Sequence, residues 1–306
     1  MKRSASRSPP EARVTVTLAI TGGSGFIGSA VARILLQRSD IRVIWIVHSH
    51  PPPVTKSTDQ LVGGDLCTPD TLHGMFAGAD AVLHLGHRIT GSPDQLAAVN
   101  TAGAAAVAAE AHSAGAHLVA VSTAAVHGQG PWDGIDIHDL PEAPGSPTSA
   151  TRAEGDGIIL DRGGTVIRPH IVIGEGDQWV VPRAAKLVSE FGWEVLGSAV
   201  HSIIEVDELA RRLIVAAVDA PTPPGVWLAA ERRPRRLDWE IDEYFRRQDS
   251  ESVVNKKCRS RSIDQALQDD PRLAHDLRFI GNDHHLTCVC SCAPSIFTTD
   301  PPHRVH

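Results

Sequence analysis

Apolar positions along this chain follow two rhythms in turn. Short runs of β-branched and aliphatic residues read as strands, and stretches with apolar residues every three or four positions read as helices. Residues 14–20 form the first run, and 26–38 then carry apolar residues at helical spacing. Ile41–Val47 is nearly all apolar, as a parallel strand covered on both faces requires. Residues 81–85, 118–122 and 165–167 read as further strands, with an alanine-rich helix over 95–113. Strands alternating with helices predict an α/β fold built on a doubly wound parallel sheet.

The segment 128–147 is rich in Gly, Pro and Asp and is expected to be a loop over the C-terminal edge of the sheet. After Arg168 the pattern loosens, with helices expected over 207–218 and Asp238–Arg247. Residues 249–306 are polar with little periodicity, and residues 1–13 read as a disordered tail rather than a signal peptide. The chain between them divides into a sheet domain over 14–170 and a smaller, reduced substrate lobe over 171–248.

Composition narrows the class. Of 306 residues, 42% are hydrophobic and 21% charged, which supports a packed core. The net charge of -7 and the lack of a long basic run give no electrostatic support for nucleic acid or an anionic membrane surface as partner. No apolar stretch approaches the about 20 residues that span a bilayer. Of the five cysteines, Cys67 alone falls in the expected core region, while Cys258, Cys288, Cys290 and Cys292 fall in the polar tail. A disulfide framework is therefore not expected, and a cytoplasmic location is. The alternating tail cysteines, with His284 and His285 upstream, have one residue between thiols where zinc pairs favour two or more, so no metal site is expected. The basic cluster Arg232, Arg233, Arg235 and Arg236 reads as a solvated loop.

Gly22, Gly25 and Gly28 stand directly after the first strand and open the first helix. Glycines allow a tight turn and let the backbone approach a pyrophosphate, while the helix start offers free N–H groups and a positive dipole. In a strand-turn-helix context this spacing points to a dinucleotide.

The segment Thr21-Gly22-Gly23-Ser24-Gly25-Phe26-Ile27-Gly28 resembles the cofactor loop of the extended short-chain dehydrogenase/reductase family, in its epimerase/dehydratase branch. The resemblance continues through Gly64-Asp65-Leu66, His84-Leu85-Gly86-His87, Asn100-Thr101, the stretch from Val121 to Gly128, Arg168-Pro169-His170 and the stretch from Ile203 to Ala210. It covers about residues 14 to 218. It implies a cofactor set of Gly22, Gly25, Phe26, Ile27, Gly28, His48, Asp65, Leu66, Leu85 and Arg152, with Asp65 at the adenine. It also implies a small-molecule substrate and a homodimer packed through helices over 95–113 and 148–160. The second strand ends at His48, Ser49 and His50, with no carboxylate to bond the ribose hydroxyls of NAD, which favours NADP over NAD.

In the family a Tyr and a Lys four residues apart share a helix face, and a Ser or Thr holds the substrate oxygen. Thr123 matches the Ser/Thr position, but Thr148 and Arg152 stand where the resemblance puts Tyr and Lys. The chain's one tyrosine, Tyr244, lies too far along to serve. A phenol near pKa about 10 can be tuned toward neutrality by a cation, whereas a threonine alcohol is a far weaker acid and an arginine does not exchange its proton. The glycines at 155 and 157 further predict a short or frayed helix. Histidine is the natural substitute acid or base, and His87, His127 and His170 fall in the segments concerned; His127, closing the strand that bears Thr123, is the first choice.

Three functions follow. The first is an NAD(P)-dependent oxidoreductase or epimerase acting on a small carbonyl or sugar-like substrate with a non-standard proton donor. The second is a redox-neutral cyclase, isomerase or lyase on the same fold, and the third is a nucleotide-binding protein without chemistry.

Overall fold

The computed structural model describes residues 15–248 together with 277, 280, 281 and 284–287. β1 (Val16–Thr21) passes through the glycine turn into α1 (Phe26–Leu35), which buries Ala30, Val31, Ala32 and Leu35. β2 (Ile41–Val47), β3 (Gln60–Gly63) and β4 (Ala81–His84) follow. A capping box between Ser92 and Gln95 opens α2 (Pro93–Ala97), which runs through a π-type turn into α3 (Ala104–Ala114). Next come β5 (His117–Val121), β6 (Trp132–Asp136), α4 (Pro147–Asp161), β7 (Thr165–Pro169) and β8 (Ile171–Ile173). The chain continues through α5 (Val181–Phe191), β9 (Ile203–Glu205), α6 (Val206–Ile214), β10 (Gly225–Ala229) and α7 (Asp238–Arg247), and β11 (His284–Thr287) is the last described strand.

Seven strands pair in the order β10-β7-β5-β4-β1-β2-β3, and every neighbouring pair is parallel. The winding direction reverses between β1 and β4, which opens a crevice at their C-terminal ends, where ligands bind in sheets of this kind. Successive strand residues point to opposite faces. Leu18 and Ile20 join the layer of α1 and α6, while Ala19 joins that of α3 and α4. Both faces are apolar because both are covered, and this is what made the central strands readable as unbroken hydrophobic runs.

Residues 171–248 split between two bodies. α6 packs on α1, where Arg33 pairs with Asp207 at 2.8 Å, and β10 extends the main sheet. The rest forms a lobe with its own core of Ile171, Ile173, Val188, Phe191, Ile241 and Phe245.

The structure corrects several expectations. The helix expected to fray is α4, intact over fifteen residues and capped by reciprocal bonds between Ser146 and Ser149. The 128–147 segment is not all loop: its β6 pairs with β11 in parallel, and Leu286 packs beside Trp132 and Ile137. β3 and β10 had no counterpart in the hydrophobic pattern. Cys67 is exposed, and Cys258, Cys288, Cys290 and Cys292 lie outside the described residues.

Gly155 explains why α4 tolerates a poor helix former. A Cβ at that position would lie 2.2 Å from the Asn100 carbonyl oxygen and 3.2 Å from Ala104 Cβ. The glycine is what lets α4 pack closely on the preceding helical stretch. Gly155→Ala is expected to destabilise the fold by about 1–3 kcal/mol, the overpacking penalty outweighing the gain in helix propensity. Urea unfolding of the variant beside the parent chain measures this.

Candidate active site

The turn after β1 is fixed by its glycines. Gly22 has φ +75, a left-handed conformation that suits glycine. A Cβ on Gly28 would lie 2.2 Å from the Gly22 carbonyl oxygen, so helix and turn meet at backbone distance. Gly25 N–H donates to Gly22 O at 3.1 Å, and Gly25 caps α1 without a side chain. The first N–H groups of α1 have no intrahelical acceptor, and the helix dipole adds positive potential there.

Beside this turn lies a cavity of about 330 Å³ at the ends of β1, β2 and β4. Its walls include Gly22, His48, Asp65 and Leu66 from the expected cofactor set, together with Ser49, His50, His87 and Arg88. Gly25, Phe26, Ile27 and Gly28 form the start of the helix rather than the wall, and Leu85 packs against the main core. The Asp65 carboxylate accepts from Cys67 N–H at 2.9 Å and lies 3.7 Å from His48 Nε2.

The three residues that the resemblance assigns to the catalytic pattern are placed as follows. Thr123 Oγ1 accepts from Ala125 N–H at 3.2 Å, which caps a short turn. Thr148 Oγ1 donates to Ile89 O at 3.1 Å. Arg152 is buried, and its Nη2 donates to Val121 O at 2.9 Å. Burial lowers the Arg152 pKa to about 10, against the opposing pull of Asp156. Tyr244 packs against the lobe core.

His127 has both ring nitrogens engaged. Arg168 Nη1 donates to Nε2 at 3.0 Å, and Nδ1 donates to Pro141 O at 3.2 Å. Burial, then the Arg168 charge, lowers its pKa, so this ring is held neutral as scaffolding. His170 stacks edge-on to Trp132 at 5.7 Å, under the 128–147 segment. His87 is half-buried on the cavity wall, 4.9 Å from the His84 ring. Burial, then Arg152, holds it well below the ordinary imidazole range.

Two groups that sequence reasoning did not single out organise this region. Asp156 Oδ2 accepts from Arg168 Nε at 2.9 Å, from Arg168 Nη2 at 2.8 Å and from Ser122 Oγ at 2.7 Å. Its place four residues after Arg152 was the available signal. His84 is wholly buried, and its Nδ1 lies 2.7 Å from Thr21 Oγ1, which accepts from Gly86 N–H at 3.3 Å. Nε2 has no hydrogen-bond partner among the described residues. Asn100 ties the site to the helices, accepting from Arg88 N–H and donating to Arg88 O and Thr151 Oγ1.

Fold and cleft together define a Rossmann-type protein with its candidate site at the switch point of the sheet. The chain belongs to the NAD dependent epimerase/dehydratase family, whose model matches residues 18–221. It is 30% identical over 197 residues to a 2-alkyl-3-oxoalkanoate reductase of Stenotrophomonas maltophilia, covering 60% of this chain and 59% of that protein. It is likewise 30% identical over 164 residues to a dTDP-glucose 4,6-dehydratase of Streptomyces niveus, covering 46% and 47%. The chain thus matches about half to three-fifths of the length of these curated relatives. Among solved structures, the Bordetella bronchiseptica enzyme WbmH in complex with NAD+ superposes with a TM-score of 0.65 at 20% identity, covering 77% of this chain and 82% of that one. A Thermotoga maritima UDP-glucose 4-epimerase with UDP-glucose gives 0.63 at 18%, covering 77% and 84%. Among the described residues no helix is long and apolar enough to cross a membrane.

His84 yields a pH prediction. Burial, then the Arg152 charge, lowers its pKa to about 3, so the unfolded chain takes up a proton first. His84's contribution to stability is complete above its unfolded pKa and is lost as pH falls from about 6.5 toward 3, with a slope of up to about 1.4 kcal/mol per pH unit. His84→Asn is expected to flatten the acid limb of stability against pH, as measured by urea unfolding between pH 7.5 and 5.

Proposed function

We propose that this chain is an NAD(P)-dependent oxidoreductase- or epimerase-like enzyme acting on a small carbonyl or sugar-like substrate, with a proton route other than the family's tyrosine. The observation that carries this reading is the glycine cradle at the start of α1. The Gly22–Gly28 approach is tighter than any side chain allows, and it sets helix N–H groups beside an open cavity at the switch point. The names of the curated relatives, a reductase and a dehydratase, support the same class of chemistry.

When bound, the nicotinamide supplies hydride transfer. The chain's own residues orient and exclude. Thr123 uses an acceptor site on Ala125 N–H, which leaves its hydroxyl proton for a substrate oxygen. His127 is closed to proton exchange by its two bonds. His87 faces the cavity as a neutral imidazole, suited to relaying a proton through water rather than acting as a strong acid. The shortage of strong acids also favours, as a second reading, redox-neutral chemistry carried by hydrogen bonding and desolvation.

NADP is the proposed dinucleotide, because His48, Ser49 and His50 line the cavity at the end of β2 and no carboxylate caps that strand. Calorimetry with both dinucleotides in both redox states tests the reading. Saturable binding is expected in the parent chain and none in Gly28→Val; no binding to the parent chain overturns it. Consumption of the reduced cofactor with a carbonyl panel separates the redox enzyme from the redox-neutral one. His48→Asp is expected to weaken NADP relative to NAD by about tenfold, through like-charge repulsion with the extra phosphate. An unchanged ratio in the same titration removes the NADP assignment.

A further inference from the structure

On the wall of the cavity beside the glycine turn, Arg88 is the only arginine or lysine and Asp65 the only carboxylate among the described residues. The two are not paired. Asp65 accepts from Cys67 N–H at 2.9 Å and from Thr68 Oγ1 at 3.4 Å. Arg88 Nε donates to Thr90 O at 3.0 Å, and the two terminal nitrogens of its guanidinium meet no acceptor among the described residues.

The backbone that carries this cation is fixed on two sides. Asn100, 1% exposed, accepts from Arg88 N–H and donates to Arg88 O, both at 2.9 Å, and it also donates to Thr151 Oγ1 of α4 at 3.1 Å. One buried amide thus holds both backbone polar groups of Arg88. The same segment lies against the turn itself. A Cβ on Gly22 would fall 2.5 Å from Gly86 N, and Gly86 N–H donates to Thr21 Oγ1 at 3.3 Å. Arg88 therefore starts from a rigid point two residues beyond that contact, and only its side chain is left to arrange. Such preorganisation lowers the cost of binding.

Charge decides what the group is for. The diphosphate of a dinucleotide is an anion, whereas the start of α1 offers N–H donors and only about half an elementary charge. The turn adds no cation of its own, since Thr21-Gly22-Gly23-Ser24-Gly25-Phe26-Ile27-Gly28 holds no Arg, Lys or His. A guanidinium keeps its charge at any working pH and bonds two phosphate oxygens at once.

We propose that Arg88 is the counter-ion of the dinucleotide's diphosphate, placing its terminal nitrogens on phosphate oxygens that the glycine turn holds from the other side. This rests on the reading of the cleft as a dinucleotide site. It also separates two phosphates: the diphosphate falls to Arg88 and the turn, and the extra phosphate of NADP to His48, Ser49 and His50.

NAD, NADP and adenosine are titrated calorimetrically into the full-length chain and into Arg88→Gln and Arg88→Lys. Arg88 is exposed, so the variants are expected to unfold in urea as the parent does. Arg88→Gln is expected to weaken NAD and NADP alike by about tenfold, and Arg88→Lys by about threefold, since it keeps the charge and loses the fork. Adenosine, which has no phosphate, is expected to bind parent and variants equally. Unchanged NAD affinity in Arg88→Gln overturns the proposal, as does a loss confined to NADP or one that extends to adenosine. Should Arg88→Gln fail to fold, Arg88→Met decides by the same criteria. Absence of dinucleotide binding to the parent chain overturns the functional reading and this proposal together, whereas binding indifferent to Arg88 overturns this proposal alone.

Discussion

One buried carboxylate stands among two buried guanidiniums at the C-terminal edge of the sheet, and much of the site follows from how Asp156 is shared. It bonds Arg168 through two nitrogens and takes Ser122 as a third donor. Breaking a buried pair of this kind costs about 3–5 kcal/mol, because the remaining charge is stranded. Arg168 in turn bonds Glu142 and His127, which holds the 128–147 segment over the edge of the sheet. Arg152 receives only the field of Asp156 and not its hydrogen bonds. Burial first, and then the charge of Arg152, hold His84 and His87 neutral.

The central fold was legible because burial on both faces makes a parallel strand apolar throughout. β1, β2, β4, β5 and β7 were all expected from that signature, although their ends shift by a residue or two. The edge strands were not legible. β3 is largely exposed and reads Gln-Leu-Val-Gly, and β10 follows a proline-rich stretch. The error over α4 has a sharper lesson. Propensity counts a glycine in a helix as a cost of about 1 kcal/mol, but Gly155 is where another backbone comes within contact distance. Gly157, two residues on, meets nothing and matches the propensity view. Sequence alone does not distinguish the two.

At the site, the glycine turn was readable because local spacing carries it. The contacts that tie distant segments together were not, because their partners are far along the chain. Thr148 meets Ile89, Asn100 meets Thr151, and Thr21 meets His84. His127 drew attention by its position beside Thr123, but the bonds that occupy its ring come from Arg168 and Pro141. His84 was passed over as one letter of a familiar segment, though its burial and orphaned nitrogen make it the more unusual group.

The resemblance sets Thr148 and Arg152 at the positions of the family's Tyr and Lys, and on that assignment the two replacements belong together. A lysine one helical turn from a phenol is useful because its charge lowers the phenol pKa. Once the phenol is gone, a cation at that depth no longer has an acid to tune, and leaving it buried without a partner is costly. Such a charge persists without penalty to the fold only if something compensates it. In this chain Asp156 does so through space, and Val121 O does so by accepting from Nη2.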